Sequence, residues 1–135
     1  MRTVDLASLG YTFARKPLLI GGMAMEYYSL RLAGDDIDFV VTRADYGALA
    51  ALHPDLLKDL AGDLGVCVGQ FELWTSIRRF DYTNLLAGAE KTDAYFVITL
   101  EKLLLLKALA MDDPKYERDV RLIARRLNDR QYGTV

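Results

Sequence analysis

Three aspartates stand together in DDIDF, residues 35 to 39, at the start of an apolar run. Read as a strand, Asp36 and Asp38 sit at i and i+2, so their side chains share one face. Two anions held that way repel each other unless a cation lies between them, and the pairing therefore points to metal or cation binding. Upstream, Gly21-Gly22 separates the apolar run LLI from MAMEYY. Glycines there allow a sharp turn and leave backbone amides open to a ligand, and a helix beginning there adds the positive end of its dipole, which suits a phosphate. A Gly-Gly pair alone is no more than a tight turn. Here thirteen residues separate Gly22 from Asp36, room for one helix and a return, which brings the carboxylates back beside the glycines. Phosphate oxygens facing carboxylates call for Mg²⁺, which takes one or two carboxylates and substrate phosphates as ligands.

The elements around these residues follow from hydrophobic periodicity. Residues 3 to 14 read as a short, imperfect amphipathic helix ahead of Pro17. LLI forms a strand, Met23 to Leu32 a helix, and IDFVV a buried strand. Helical spacing continues from Asp45 to Leu60, broken near Pro54. VCVGQFELWTSIRRF alternates as one long strand or a hairpin hinged at Gly69, and YFVIT is a further strand. Thr99 is placed to cap a helix through TLEKLLLLKALAMDD, and Pro114 opens a last helix with an apolar stripe of Tyr116, Val120, Ile123 and Leu127. The expected fold class is α+β, a small mixed sheet flanked by helices with a C-terminal helical pair, in a single domain over residues 1–135.

Composition sets limits. The chain has 135 residues, 52% of them apolar, enough for one ordinary core. Seventeen Lys and Arg against 19 Asp and Glu give a net charge of −2, which excludes a strongly cationic nucleic-acid coat. A single cysteine, Cys67 between two valines, excludes a disulfide framework and a Cys-rich zinc site. With no apolar stretch near the roughly 20 residues of a membrane span, the expectation is a cytoplasmic protein without a membrane partner. His53 is the only histidine and is expected at the surface. Arg78-Arg79 and Arg125-Arg126 read as solvated faces, and Trp74, Tyr27 and Tyr28 as core.

The combination of Gly21-Gly22, a helix, then Asp36, Ile37, Asp38 and Phe39 resembles the signature of the nucleotidyltransferase superfamily typified by DNA polymerase β. Within it the chain is most similar to the small bacterial nucleotidyltransferase-like proteins, some of them members of toxin–antitoxin pairs, in which Gly-Gly-x-Ala is followed by an arginine shortly before the aspartates. Gly21-Gly22-Met23-Ala24 and Arg31 follow that habit, with Arg31 one residue further from the first aspartate than the family's spacing. The resemblance implies the minimal nucleotidyltransferase fold and a Mg²⁺ site, with two ions, on Asp36, Asp38 and a third carboxylate from a neighbouring strand. Glu72 in QFELW is the candidate and Asp81 in RRFDYT the reserve. Gly21, Gly22, Arg31 and Lys107 are the residues it assigns to the nucleotide, with Asp119 positioning or pairing with Lys107. The function implied is transfer of a nucleoside monophosphate from an NTP to a hydroxyl of a protein or RNA acceptor, in partnership with a cognate toxin or antitoxin. The alternative is a catalytically inactive fold relative that serves as a protein-binding, antitoxin-like subunit. A sugar-nucleotide DxD site ranks third, because such enzymes need a larger fold.

Overall fold

A computed structural model describes residues 2–132. Its elements run β1 (Leu18–Ile20), α1 (Gly21–Tyr27), β2 (Ile37–Val40), α2 (Arg43–Leu52), β3 (Leu57–Leu60), β4 (Asp63–Val68), β5 (Phe71–Trp74), β6 (Ser76–Ile77), β7 (Phe80–Asp81), α3 (Tyr82–Leu86), β8 (Glu90–Lys91), β9 (Phe96–Val97), α4 (Leu100–Leu109) and α5 (Lys115–Tyr132), with one 3₁₀ turn at Leu6–Leu9. The fold is α+β, a mixed sheet with helices, as its apolar patterning implies. Contacts divide the chain into two compact units, one ending at Ile98 and one beginning at Thr99.

In the first unit, seven strands lie in the order β3-β4-β5-β2-β1-β9-β8, with β6 and β7 as a separate hairpin. β1 is antiparallel to β2 and parallel to β9, while β2 is parallel to β5. The central position of β1 explains its uninterrupted apolar run: Leu18 and Leu19 are fully buried, and a strand covered on both faces has no polar side. Phe39, Val40, Leu73 and Leu49 complete the core, each apolar side chain contributing about 1.5–3 kcal/mol by leaving water. The second unit is the helical pair, in which Leu103 of α4 and Ile123 of α5 are buried. Thr99 caps α4 by accepting from the Lys102 amide, as its type and position imply.

Several boundaries differ from the sequence reading. The amphipathic helix expected over 3–14 reduces to the 3₁₀ turn. Helix α1 stops at Tyr27 rather than Leu32, because Ser29 takes a left-handed backbone, φ 59°, and the chain turns away. Residues 57–60, expected to be helical, form an edge strand: α2 ends at Leu52 just before Pro54, and antiparallel pairing with β4 replaces the helical bonds. His53 closes α2 and is half-buried rather than exposed. The stretch from Val66 resolves as a hairpin of β4 and β5, turning at Gly69 with φ 58°. No helix among the described residues is long and apolar enough to cross a membrane.

Candidate functional site

The antiparallel pairing of β1 and β2 sets Ile20 opposite Asp38, so the glycine turn that follows β1 lies against the aspartate. Gly21 has φ +65°, and a Cβ built there would come within 2.7 Å of Asp38 Oδ2. The carboxylate therefore rests on a bare Cα, a contact no other residue type leaves open. A Cβ on Gly22 would lie 3.6 Å from Nη1 and 3.7 Å from Nη2 of Arg31, so the guanidinium stands beside the second glycine despite the unusual spacing in sequence. Arg31 Nη1 also donates to the Leu32 carbonyl at 2.9 Å. Gly21, Gly22, Arg31 and Asp38 are thus brought together, and Asp36 stands exposed one residue before β2.

Arg31 is carried by the loop after α1, and that loop is tied down by Glu26. Its carboxylate, nearly buried, accepts from the amides of Ala33 and Arg2, both at 2.9 Å, with the Arg2 guanidinium 3.9 Å away. Those amide bonds, Ala33 first, hold the Glu26 carboxyl below the usual glutamate range. An open groove of about 620 Å³ runs between Arg2, Glu26 and the 29–33 loop. At its other end the loop is anchored by Tyr28, whose hydroxyl donates to the Ile98 carbonyl at 2.7 Å. Glu26 escaped the sequence reading; the only signal was an acid inside the apolar helical stretch MAMEYY.

Glu72 takes the place expected of a third carboxylate. It faces away from its buried neighbours Phe71 and Leu73, and in the parallel pairing of β2 with β5 it stands in register with Asp38. In-register residues on adjacent strands share a face, with the strands about 4.8 Å apart. Glu72 has company on its other side. Cys67 is its register partner on β4, and the thiol donates to Glu72 Oε1 at 3.7 Å. Burial pushes the Cys67 thiol up, so it is protonated and donates at neutral pH. Lys58, on β3, places its ammonium 3.5 Å from the same Oε1.

The remaining assigned residues belong to other elements. Asp81 belongs to the separate hairpin and caps α3, accepting from the Asn84 amide at 2.9 Å while Asn84 Oδ1 accepts from the Asp81 amide. Lys107 lies in the helical pair, where it meets Asp119 at 2.9 Å with both side chains buried, the pairing the family likeness implies. Arg79 is exposed, as expected, and donates from Nη2 to the Ala61 carbonyl at 2.9 Å, and Trp74 is core.

Among the described residues, no group of three or more His, Cys, Asp or Glu side chains is gathered to hold a metal on its own. Asp38 lies against the glycine turn, Asp36 is exposed one residue before β2, and Glu72 is already paired with the Lys58 ammonium. Carboxylate oxygens are the donor class that Mg²⁺ takes, one or two from a protein with phosphate oxygens as the rest. Compared with known proteins, the chain matches no family model, no curated protein and no solved structure.

Proposed function

We propose that the chain is a Mg²⁺-dependent nucleotidyltransferase that moves a nucleoside monophosphate from an NTP to a hydroxyl of a protein or RNA. The observation that carries this reading is the packing of the Asp38 carboxylate on the bare Cα of Gly21, with Arg31 beside Gly22. A structural turn alone has no need of an anion and a guanidinium at two successive glycines. The amides at Gly21-Gly22 and the Arg31 guanidinium seat the β- and γ-phosphates by charge-assisted hydrogen bonds. Asp36 and Asp38 would hold the metal, which would supply charge stabilisation at the α-phosphate and the leaving pyrophosphate. Glu72, on the same face, accepts the proton of the acceptor hydroxyl. Lys107 has no part in this scheme, because its charge is matched by Asp119 within the helical pair.

The test is transfer of label from α-labelled NTPs, with Mg²⁺, into the protein or RNA of a cell extract. Asp38→Ala is expected to abolish labelling, by at least about 10²-fold, the scale on which loss of transition-state charge stabilisation is felt, while circular dichroism stays native. Equal labelling by the folded variant overturns the assignment.

A second reading has its own support. The Lys58 ammonium at Glu72 and the lack of a three-acid cluster among the described residues favour a fold relative without catalysis, acting as the antitoxin-like binding half of a two-protein module. Calorimetry with Mg²⁺ and ATP or CTP separates the two: a folded protein that takes up neither belongs to the second.

A further inference from the structure

Helix α5 concentrates a positive charge that the chain as a whole does not show. Lys115–Tyr132 carries six cations and three acids, net +3, in a chain of net −2, so the remaining residues carry −5. Five of the six cations are arginines. We propose that the outer face of α5 binds an unpaired nucleic-acid strand, with phosphates on Arg118, Arg121 and Arg125 and a base on the Tyr132 ring. The inference concerns the helical pair alone and stands whether or not the first unit is a nucleotidyltransferase.

The stripe follows from helical geometry. At about 100° per residue, Arg118, Arg121, Arg125 and Tyr132 fall within about 60° of arc and span about 21 Å of the axis. Ile123, on the opposite side of the helix, is buried. The three arginines are exposed and line an open groove of about 430 Å³ with Pro114, Glu117 and Leu122, whereas Arg126, adjacent in sequence, is half-buried. Two carboxylates touch these arginines, and neither neutralises the stripe. Glu117 meets Arg121 at 2.8 Å, but their side chains are 53% and 77% exposed, and an exposed ion pair of this kind is weak. Asp119 lies 3.4 Å from Arg118 Nε, but its charge is already matched by Lys107 at 2.9 Å. The guanidinium fork fits the paired oxygens of a phosphate or a carboxylate, so the arginines alone admit either partner. The ring decides between them. Tyr132 is 76% exposed in line with the arginines, and a cationic track with an aromatic beside it is how single strands are held, phosphates on the charges and a base stacked on the ring. A duplex keeps its bases stacked inside and offers the ring nothing.

The experiment titrates the full chain into a fluorescent oligouridylate of about 12 nucleotides, within the usual site size for single-strand binding, and follows anisotropy without NTP or divalent cation. Affinity is expected to fall about twentyfold between about 50 and 200 mM salt, the slope for three phosphates of a single strand. Arg118→Gln/Arg121→Gln/Arg125→Gln is expected to lose at least about tenfold at the lower salt, together with most of the salt dependence. Tyr132→Ala is expected to lose about fivefold or more and to keep the salt dependence. A control, Arg15→Gln/Arg43→Gln/Lys91→Gln, removes the same charge from exposed positions of the first unit and is expected to stay within about twofold of wild type. Absence of binding at the lower salt overturns the proposal, as does a loss in the control as large as that in the arginine variant, or tighter binding to the duplex with oligoadenylate. Equal binding of a polyglutamate chain of the same length, insensitive to Tyr132→Ala, also overturns it and assigns the face to an acidic protein segment. Should circular dichroism show that the triple arginine variant loses helix, the three single variants decide: each is expected to weaken binding about twofold, and unchanged binding in all three overturns the proposal.

Discussion

At Gly21 the backbone and the site make the same demand. The φ of +65° costs a residue with a Cβ about 1–2 kcal/mol, and the added atom would overlap Asp38 Oδ2 at 2.7 Å. Gly21→Ala is therefore expected to lower stability in urea by more than the backbone term alone and to displace the carboxylate. Combining it with Asp38→Ala removes the overlap, so the double variant is expected to lose less than the sum of the single losses. Strict additivity, measured from urea midpoints, would mean that Asp38 does not rest on the turn. Gly22 offers a contrast. A Cβ there meets Ala33 and Arg31 only at ordinary contact distances, and Gly22→Ala is expected to fold with stability near or above wild type. The two glycines look alike in sequence, but only the first is fixed by what it touches.

At the scale of elements, the sequence carried the unit around the two glycines and less of its surroundings. The strand-turn-helix-strand unit from Leu18 to Val40 was legible because apolar runs, two glycines and β-branched residues all agree on it. Thr99 was legible as a cap because capping is local chemistry. Residues 57–60 were misread because Leu49, Leu52, Leu56 and Leu60 mimic a helical period. Leu52, Leu56 and Leu60 are exposed, so the period reports no buried face. Lys58 could not have been found at all, since its approach to Glu72 is created by the registers of β3, β4 and β5. The pairing of Lys107 with Asp119 of α5 was implied by the family likeness, but the burial of both side chains was not legible in the sequence. That pair ties α4 to α5 and sets a prediction for the element. Asp119→Asn leaves a buried ammonium without its counter-charge and is expected to cost about 3–5 kcal/mol, whereas Lys107→Met with Asp119→Leu is expected to recover most of the loss. Thermal unfolding of the three variants checks it; a double variant no better than Asp119→Asn would assign the pair a role other than packing one helix on the other.

The response of the molecule as a whole to acid is set by carboxylates held in hydrogen bonds. Asp45, fully buried, accepts from the Tyr11 hydroxyl at 2.6 Å, the Ala14 amide at 2.9 Å, the Arg15 amide at 3.2 Å and Thr42 Oγ1 at 3.2 Å, and so ties the N-terminal segment to the start of α2. Burial alone would raise its pKa, but those donors together outweigh burial and hold the carboxyl below the ordinary aspartate value. A folded pKa below the unfolded one, about 3.9, means that this contribution is complete above about pH 5 and is lost as pH falls through the folded value. Glu26, lowered by its amide donors, acts in the same direction. On the alkaline side burial raises Tyr27, Tyr82 and Tyr95, and Tyr11 is pushed up to about 12 by its bond to Asp45, then by burial and by the Asp45 charge. Its contribution is present below the unfolded tyrosine value, about 10, and is lost as pH rises towards 12. Stability is expected to be flat between about pH 5 and 10 and to fall on both sides. Asp45→Asn turns an amide group towards donors that want an acceptor and is expected to cost about 1–3 kcal/mol at pH 7, with the gap to wild type narrowing below about pH 4. Tyr11→Phe is expected to lessen the alkaline fall and, because it removes one of the donors that lower Asp45, to weaken the acid limb as well. Urea midpoints measured from pH 3 to 11 decide it: a gap between wild type and Asp45→Asn that stays constant down to pH 3 would show that the carboxylate's charge is not what fastens the N-terminal segment.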